Sequence, residues 1–334
     1  VAVALMVMVH AAATWNPLTS SQITPLAYIV SGLGGLAAPL FVTLLGWGLM
    51  KANLSSRQRL ARASFLFFCQ FLVNISAPHL FEPFTPGVLS LMGLLVLLKP
   101  FWAWPLTAFK SPAISFLSFF ALCCLFILFF PQLQGESIWS IRVQTQDIPT
   151  AVSHLLLTGT YPLFPWVLFA SLGGIIQLMD RQSLTSFYAG FITFGLIFSS
   201  LTLAYSVSTQ QAWALPSGDA ILTFFPSNAP FLVAAMTGVL LFWSTSLRFL
   251  SQAKLLAQTG RVSLTVYVAH FVPLALFHDV DTWSLSQSST VVFAYTVGWI
   301  VVGSIWYKIA PKATLEHLMR LSAGASEDTP SVSL

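Results

Sequence analysis

Charge is what this chain lacks most. Asp, Glu, Lys and Arg make up only 7% of 334 residues, where a soluble domain carries about one quarter. That scarcity excludes an ordinary water-soluble fold. Cysteine is nearly as scarce, with Cys69, Cys123 and Cys124 all inside apolar runs. A buried thiol there behaves as a small hydrophobe, and with no His or Cys at ligand spacing no metal site is expected. The apolar runs hold no Asp or Glu near mid-membrane, which counts against an ion-coupled transporter. No internal repeat supports an inverted-repeat architecture. The glycines at 32, 34 and 35 lie within an apolar run, where small residues allow close packing, so they do not form a phosphate loop.

What is present is hydrophobic: 56% of residues, including 29 Phe. This composition describes an all-α, polytopic integral membrane protein forming one helical domain over residues 1–310. At about 20 residues per crossing, roughly ten spans are expected, at 1–15, 26–50, 60–78, 87–104, 113–131, 162–180, 187–208, 229–248, 262–278 and 290–310. Thirteen of the fourteen Lys and Arg residues fall in alternate gaps between these runs, in the adjoining ends of the runs or after the last of them, and Arg142 alone falls in the other set of gaps. Basic loops stay cytoplasmic, so both termini are expected to be cytoplasmic. The net charge of +4 mostly reflects this bias and gives no support to a nucleic-acid partner. The basic loops are expected to face anionic lipid headgroups or an anionic cytosolic ligand.

Val1 to Trp15 offers only about a dozen apolar residues, less than a full crossing. It reads as the outer part of a helix whose true start lies upstream. The outer loop 132–161 is expected to hold a short helix from Ile148 to Leu157, with Asp147 at its start, Pro149 in its first turn and Gly159 at its stop. Residues 209–228 form a second polar outer stretch. The segment 311–334 reads as a cytoplasmic tail, disordered from about 322.

Residues suited to chemistry gather on the outer side. His10 interrupts the run VAVALMVMVH, and an ionisable residue at that depth is a site candidate by default. His79 and Glu82, His154, and His278 with Asp279 and Asp281 are substrate-side candidates, because imidazole exchanges protons near neutral pH and a carboxylate can orient it. Each also has a plainer reading as a solvated or interfacial group. His270, inside SLTVYVAHFVPL, carries a donor and an acceptor that lipid cannot satisfy, so it should face the bundle interior. Gln70 and Asn74, four residues apart on one helical face, either line a polar passage or hold helices together.

Four segments, in order, resemble one family. VALMVMVH, GLGGLAAPLFVTLLGWGL (Gly32 to Leu49), TGTYPLFPWVLFASLGG (Thr158 to Gly174) and GRVSLTVYVAHFVPL (Gly260 to Leu274) are similar to the multispan acyltransferases related to heparan-α-glucosaminide N-acetyltransferase and to the type 3 acyltransferases. The resemblance implies an acyl-CoA donor, usually acetyl-CoA, entering from the cytoplasm, and a sugar or amine acceptor at the opposite face. It implies that His10 is the general base or a transient acyl carrier, that His270 lines the same passage, and that Pro39, Pro165 and Trp166 shape helices and walls. The family's Asp or Arg-Gly element would precede Val1. On that reading the donor's phosphates dock against Lys51, Arg57, Arg59 and Arg62, since guanidinium forks suit phosphate oxygens. The same four cations also read as ordinary topological anchors. Two other functions fit the composition: a noncatalytic acyltransferase-like subunit among other membrane subunits, and a transporter or flippase.

Overall fold

The computed structural model describes residues 1–15, 25–250, 252–278 and 283–324. An apolar chain out of water must satisfy its backbone internally, and helix is the local way to do so. Helices α1 (Ala2–Thr14), α2 (Pro25–Gly34), α3 (Ala37–Lys51) and α4 (Ser56–Ser76) come first. They are followed by α5 (Val88–Leu97), α6 (Lys99–Ala108), α7 (Pro112–Phe129), then the short α8 (Trp139–Val143) and α9 (Ile148–Ser153). After α10 (Leu163–Leu178) and α11 (Arg181–Thr209) comes a parallel strand pair, β1 (Ala214–Ser217) and β2 (Leu222–Phe225), with Ala214 opposite Leu222. The chain ends with α12 (Ala229–Phe249), α13 (Lys254–Gly260), α14 (Ser263–Ala269), α15 (Phe271–Leu276), α16 (Leu285–Ile309) and α17 (Leu315–Ser322). Polar side chains at the water-facing ends start several of these: Ser55 and Ser284 form capping boxes with Gln58 and Gln287, and Asp180 and Asn228 cap α11 and α12,.

All ten apolar stretches are helical. Among the described residues, five helical stretches are long and apolar enough to cross a membrane, and up to seven if two bent pairs each count as one span. The expected stretch at 87–104 is bent by 61° between α5 and α6, and Ile148–Thr158 meets α10 at 48°. Helix α4 carries Arg57, Arg59 and Arg62 in its first two turns, so its uncharged part is shorter than a crossing of about 20 residues. The strand pair in the 209–228 stretch was not expected from its composition.

The centre of the bundle is α10, buried without interruption from Pro165 to Ile176. It lies against α3 at the closest helix approach that backbones allow. A Cβ built on Gly46 would run into the carbonyl of Ala170, and one on Gly173 into the carbonyl of Thr43. Glycine on both faces of the contact is what permits this.

The loop 132–161 is a built structure. Arg142, the one cation on the wrong side of the charge pattern, is 1% exposed. Its five N–H groups all donate to loop carbonyls: Nε to Glu136 at 2.5 Å, Nη1 to Thr158 at 2.9 Å and Gly159 at 2.8 Å, Nη2 to Gln134 at 2.7 Å and Gly135 at 3.3 Å. The guanidinium therefore clasps the two ends of the loop together. Burial draws its pKa down to about 10, against an opposing pull from Glu136, which still leaves it charged near neutrality. The expected loop helix is there, capped by Asp147 onto the Thr150 amide at 2.7 Å, and its last turn, His154–Thr158, widens to π geometry before Gly159. At the other end of the chain, α17 folds back onto α4 and α14. The remainder of the expected disordered tail, 325–334, lies outside the described residues.

Gly46→Val and Gly173→Val should each lower stability by at least about 1–3 kcal/mol, the penalty for overpacking a core. Gly190→Ala, where an added Cβ meets nothing within 4 Å, should leave it unchanged. Thermal unfolding in detergent checks both.

Candidate functional site

Two of the sequence candidates meet inside the bundle. His10, near the end of α1, and His270, at the junction of α14 and α15, are 260 positions apart in sequence, yet His10 Nδ1 lies 2.9 Å from His270 Nε2. The rings stack with centroids 5.1 Å apart and planes 14° from parallel. His270 is fully buried.

The surroundings fix where the protons sit. His270 Nδ1 faces only carbonyl oxygens, Val266 at 3.0 Å and Tyr267 at 2.7 Å, so it must carry its hydrogen and donate. In the neutral ring Nε2 is then an acceptor, which makes His10 Nδ1 the donor between the two rings. His10 Nε2 is left with a lone pair and no hydrogen-bond partner among the described residues. This is the arrangement of an oriented base: one nitrogen anchored, the other free to take a proton.

Aromatic groups pack around the pair. Phe271 lies 4.8 Å from His10 and 4.4 Å from His270 between centroids, and Tyr267 meets both rings edge-on. The Tyr295 hydroxyl donates to the His270 carbonyl, the Trp15 indole to the Phe277 carbonyl, and the Ser288 hydroxyl to the Trp15 carbonyl. These bonds tie α1, α15 and α16 together at the depth of the pair.

The other sequence candidates do not join it. His79 and His278 stack on each other, centroids 4.8 Å apart, as an exposed pair; burial and the neighbouring His278 lower the pKa of His79. Glu82 accepts from the Thr145 amide at 2.5 Å and latches the outer loop to the α4–α5 turn. His154 is buried with both nitrogens engaged, Nε2 with the Gln144 carbonyl and Nδ1 with the Thr158 hydroxyl, each at 2.9 Å. It organises the loop and has no free nitrogen. Asp279 and Asp281 lie outside the described residues. Gln70 and Asn74 prove to be glue: Gln70 donates to Asn74 at 2.8 Å and accepts from the Leu89 amide, while Asn74 donates to the carbonyls of Pro83 and Thr85.

The four candidate cations, Lys51, Arg57, Arg59 and Arg62, do not converge either. Lys51 sits over the Trp47 ring at 5.4 Å, Arg57 is exposed, and Arg62 is half-buried beside Met319 with Nε unpartnered among the described residues. Arg59 alone lines an open groove, which it shares with Lys99.

One further residue positions the pair. Glu316 on α17 accepts from the amides of Leu264, and of Thr265 at 3.2 Å, and from the Thr265 hydroxyl at 2.6 Å. It therefore caps α14, the helix that ends at His270 and has no cap of its own,. Sequence reasoning passed over Glu316 because it lies about fifty residues beyond the helix it serves. Its only local sign is an acid on the apolar-and-polar alternation of TLEHLMRL.

Comparison with family models, with curated proteins and with solved structures returns no match to the chain.

The carboxyl of Glu316 is pushed above the ordinary glutamate range by burial, with hydrogen bonds from Thr265 and Leu264 opposing the rise. A raised folded-state value means the folded protein holds this proton more tightly than the unfolded chain. Its contribution to stability is therefore fully present below the unfolded pKa and is lost as pH rises through the folded one. Glu316→Gln, which keeps an acceptor oxygen but cannot titrate, should remove that component of the pH dependence. Glu316→Ala should lower stability by about 1–3 kcal/mol through the unsatisfied donors it leaves. Melting curves of the three proteins across acid and neutral pH measure both effects.

Proposed function

We propose that this protein is a membrane-bound acyltransferase that moves an acyl group, most simply acetyl, from cytoplasmic acyl-CoA to a sugar or amine acceptor at the outer face. The observation that carries the reading is the His10–His270 pair, in which His270 orients His10 and leaves His10 Nε2 without a hydrogen-bond partner among the described residues. The ordered resemblance of four segments to multispan acyltransferases supports it, and the pair joins the first of those segments to the last.

The proposed topology has ten crossings with both termini cytoplasmic. Its support is the placement of thirteen cations in alternate gaps and the helicity of all ten apolar stretches. In that frame the His pair lies inside the bundle toward the outer face, and the basic loop with Lys51, Arg57, Arg59 and Arg62 lies where the donor arrives.

The chemistry balances without a metal or a second cofactor. His10 Nε2 takes the proton of the acceptor hydroxyl or amine as its oxygen or nitrogen attacks the thioester carbonyl. The new C–O or C–N bond forms, the C–S bond breaks, and the coenzyme A thiolate leaves and recovers the proton from His10 Nε2. The imidazolium formed in between keeps its Nδ1–H bond to His270 Nε2, so the ring need not move. Shielding from water by Phe271 and Tyr267 would favour transfer to the acceptor over hydrolysis.

Purified protein in lipid nanodiscs should transfer label from acetyl-CoA to at least one member of a panel of sugars and amines. His10→Ala should lower that rate by about 100-fold or more, the usual contribution of a positioned base, while His270→Ala should lower it less. Label retained on the parent protein would identify His10 as an acyl carrier in place of a base. No transfer together with no acetyl-CoA binding would overturn the proposal in favour of a noncatalytic subunit.

A further inference from the structure

We propose that the groove between α4 and α6 is a binding site for the phosphate of an anionic phospholipid of the cytoplasmic leaflet, held by Arg59 and Lys99. The groove is an open cavity of about 360 Å³ whose lining includes both cations, Trp104 and Thr107, and no acidic residue.

Both cations are fixed in advance by the same short loop. Lys99 Nζ donates to the Ala52 carbonyl at 2.7 Å, and Arg59 donates to the Leu54 carbonyl through Nη1 and to the Ser56 hydroxyl through Nη2, each at 3.0 Å. None of the three bond partners is charged, so both positive charges remain uncompensated among the described residues. Donors also remain: two ammonium protons on Lys99, and on Arg59 the Nε proton and one on each terminal nitrogen. Two like charges held side by side with spare donors and no carboxylate define an anion site. Tetrahedral phosphate oxygens suit that donor set.

The aromatic rim selects lipid over a soluble phosphate. On α6 Phe101 is 74% and Trp104 65% exposed, and Phe109, just past its end, is 61% exposed; Trp104 itself lines the groove. Aromatic side chains left open beside cations at a helix end mark the headgroup level of a bilayer, and the cytoplasmic leaflet is where anionic lipid is found. The inference is independent of the acyl-transfer reading. If both hold, Arg59 belongs to the lipid, and the donor's phosphates are left to Lys51 and Arg57.

The test is native mass spectrometry of the protein released from nanodiscs of phosphatidylcholine containing a minor fraction of phosphatidylglycerol. The parent should retain phosphatidylglycerol selectively, and Arg59→Gln/Lys99→Gln should lose at least tenfold of that retention. Arg181→Gln, removing a cytoplasmic charge elsewhere, should retain it as the parent does. Should the double variant fail to melt cooperatively, Lys99→Gln alone is read, with a loss of at least threefold expected. Adenosine 3′,5′-bisphosphate, which carries the phosphates of coenzyme A without its acyl arm, should not displace the lipid. Equal retention by parent and variant, or displacement by the bisphosphate, would overturn the proposal; displacement would assign the groove to a soluble nucleotide.

Discussion

A polar group buried in this molecule needs a partner within the chain, and that constraint shapes its most specific contacts. Arg142 saturates all five donors on carbonyls, Gln70 and Asn74 close a ring of amide bonds, and Glu316 takes up the free amides at the start of α14. Unpaired, each would destabilise the fold by about 1–3 kcal/mol or more. His270 obeys the same rule, and its obedience has a chemical consequence. Committing Nδ1 to the Val266 and Tyr267 carbonyls fixes which nitrogen of His10 is bound and which is free.

The rest of the architecture holds that pair in place. The α3–α10 contact, closed by Gly46 and Gly173, gives the bundle a rigid centre against which α1 can rest on α3. At one end, Glu316 and α17 set the start of α14. At the other, Trp15, Ser288 and Tyr295 lock α1, α15 and α16 together. Two histidines from opposite ends of the chain therefore face each other within a frame fastened above and below.

The helices were legible in the sequence because the signal is a composition averaged over about 20 residues, and the ten stretches fall on helices with boundaries shifted by a few positions. His10 and His270 were legible one at a time, as ionisable groups in apolar runs, but their meeting was not, since no local pattern encodes a contact across 260 positions. The same limit hid Glu316 and the partnership of Arg59 with Lys99. The break at α5–α6 falls just before Pro100, a local signal that a composition averaged over the stretch does not register. The cations between the second and third spans looked like one cluster in sequence, whereas a loop and the first two turns of α4 send Lys51, Arg57, Arg59 and Arg62 to different surroundings. His154 looked reactive only because its two partners, Gln144 and Thr158, are backbone and hydroxyl groups of the loop around it.

The measurement that bears most directly on this account is solid-state NMR of the ¹⁵N-histidine-labelled protein in bilayers, with His79→Gln, His154→Gln, His278→Gln and His317→Gln changes to isolate the pair. A protonated His270 Nδ1, and a nitrogen–nitrogen correlation through the hydrogen bond between His10 Nδ1 and His270 Nε2, are the predicted result, with His10 Nε2 unprotonated at neutral pH. A protonated His270 Nε2, or no correlation between the two rings, would contradict the oriented base on which the functional reading rests.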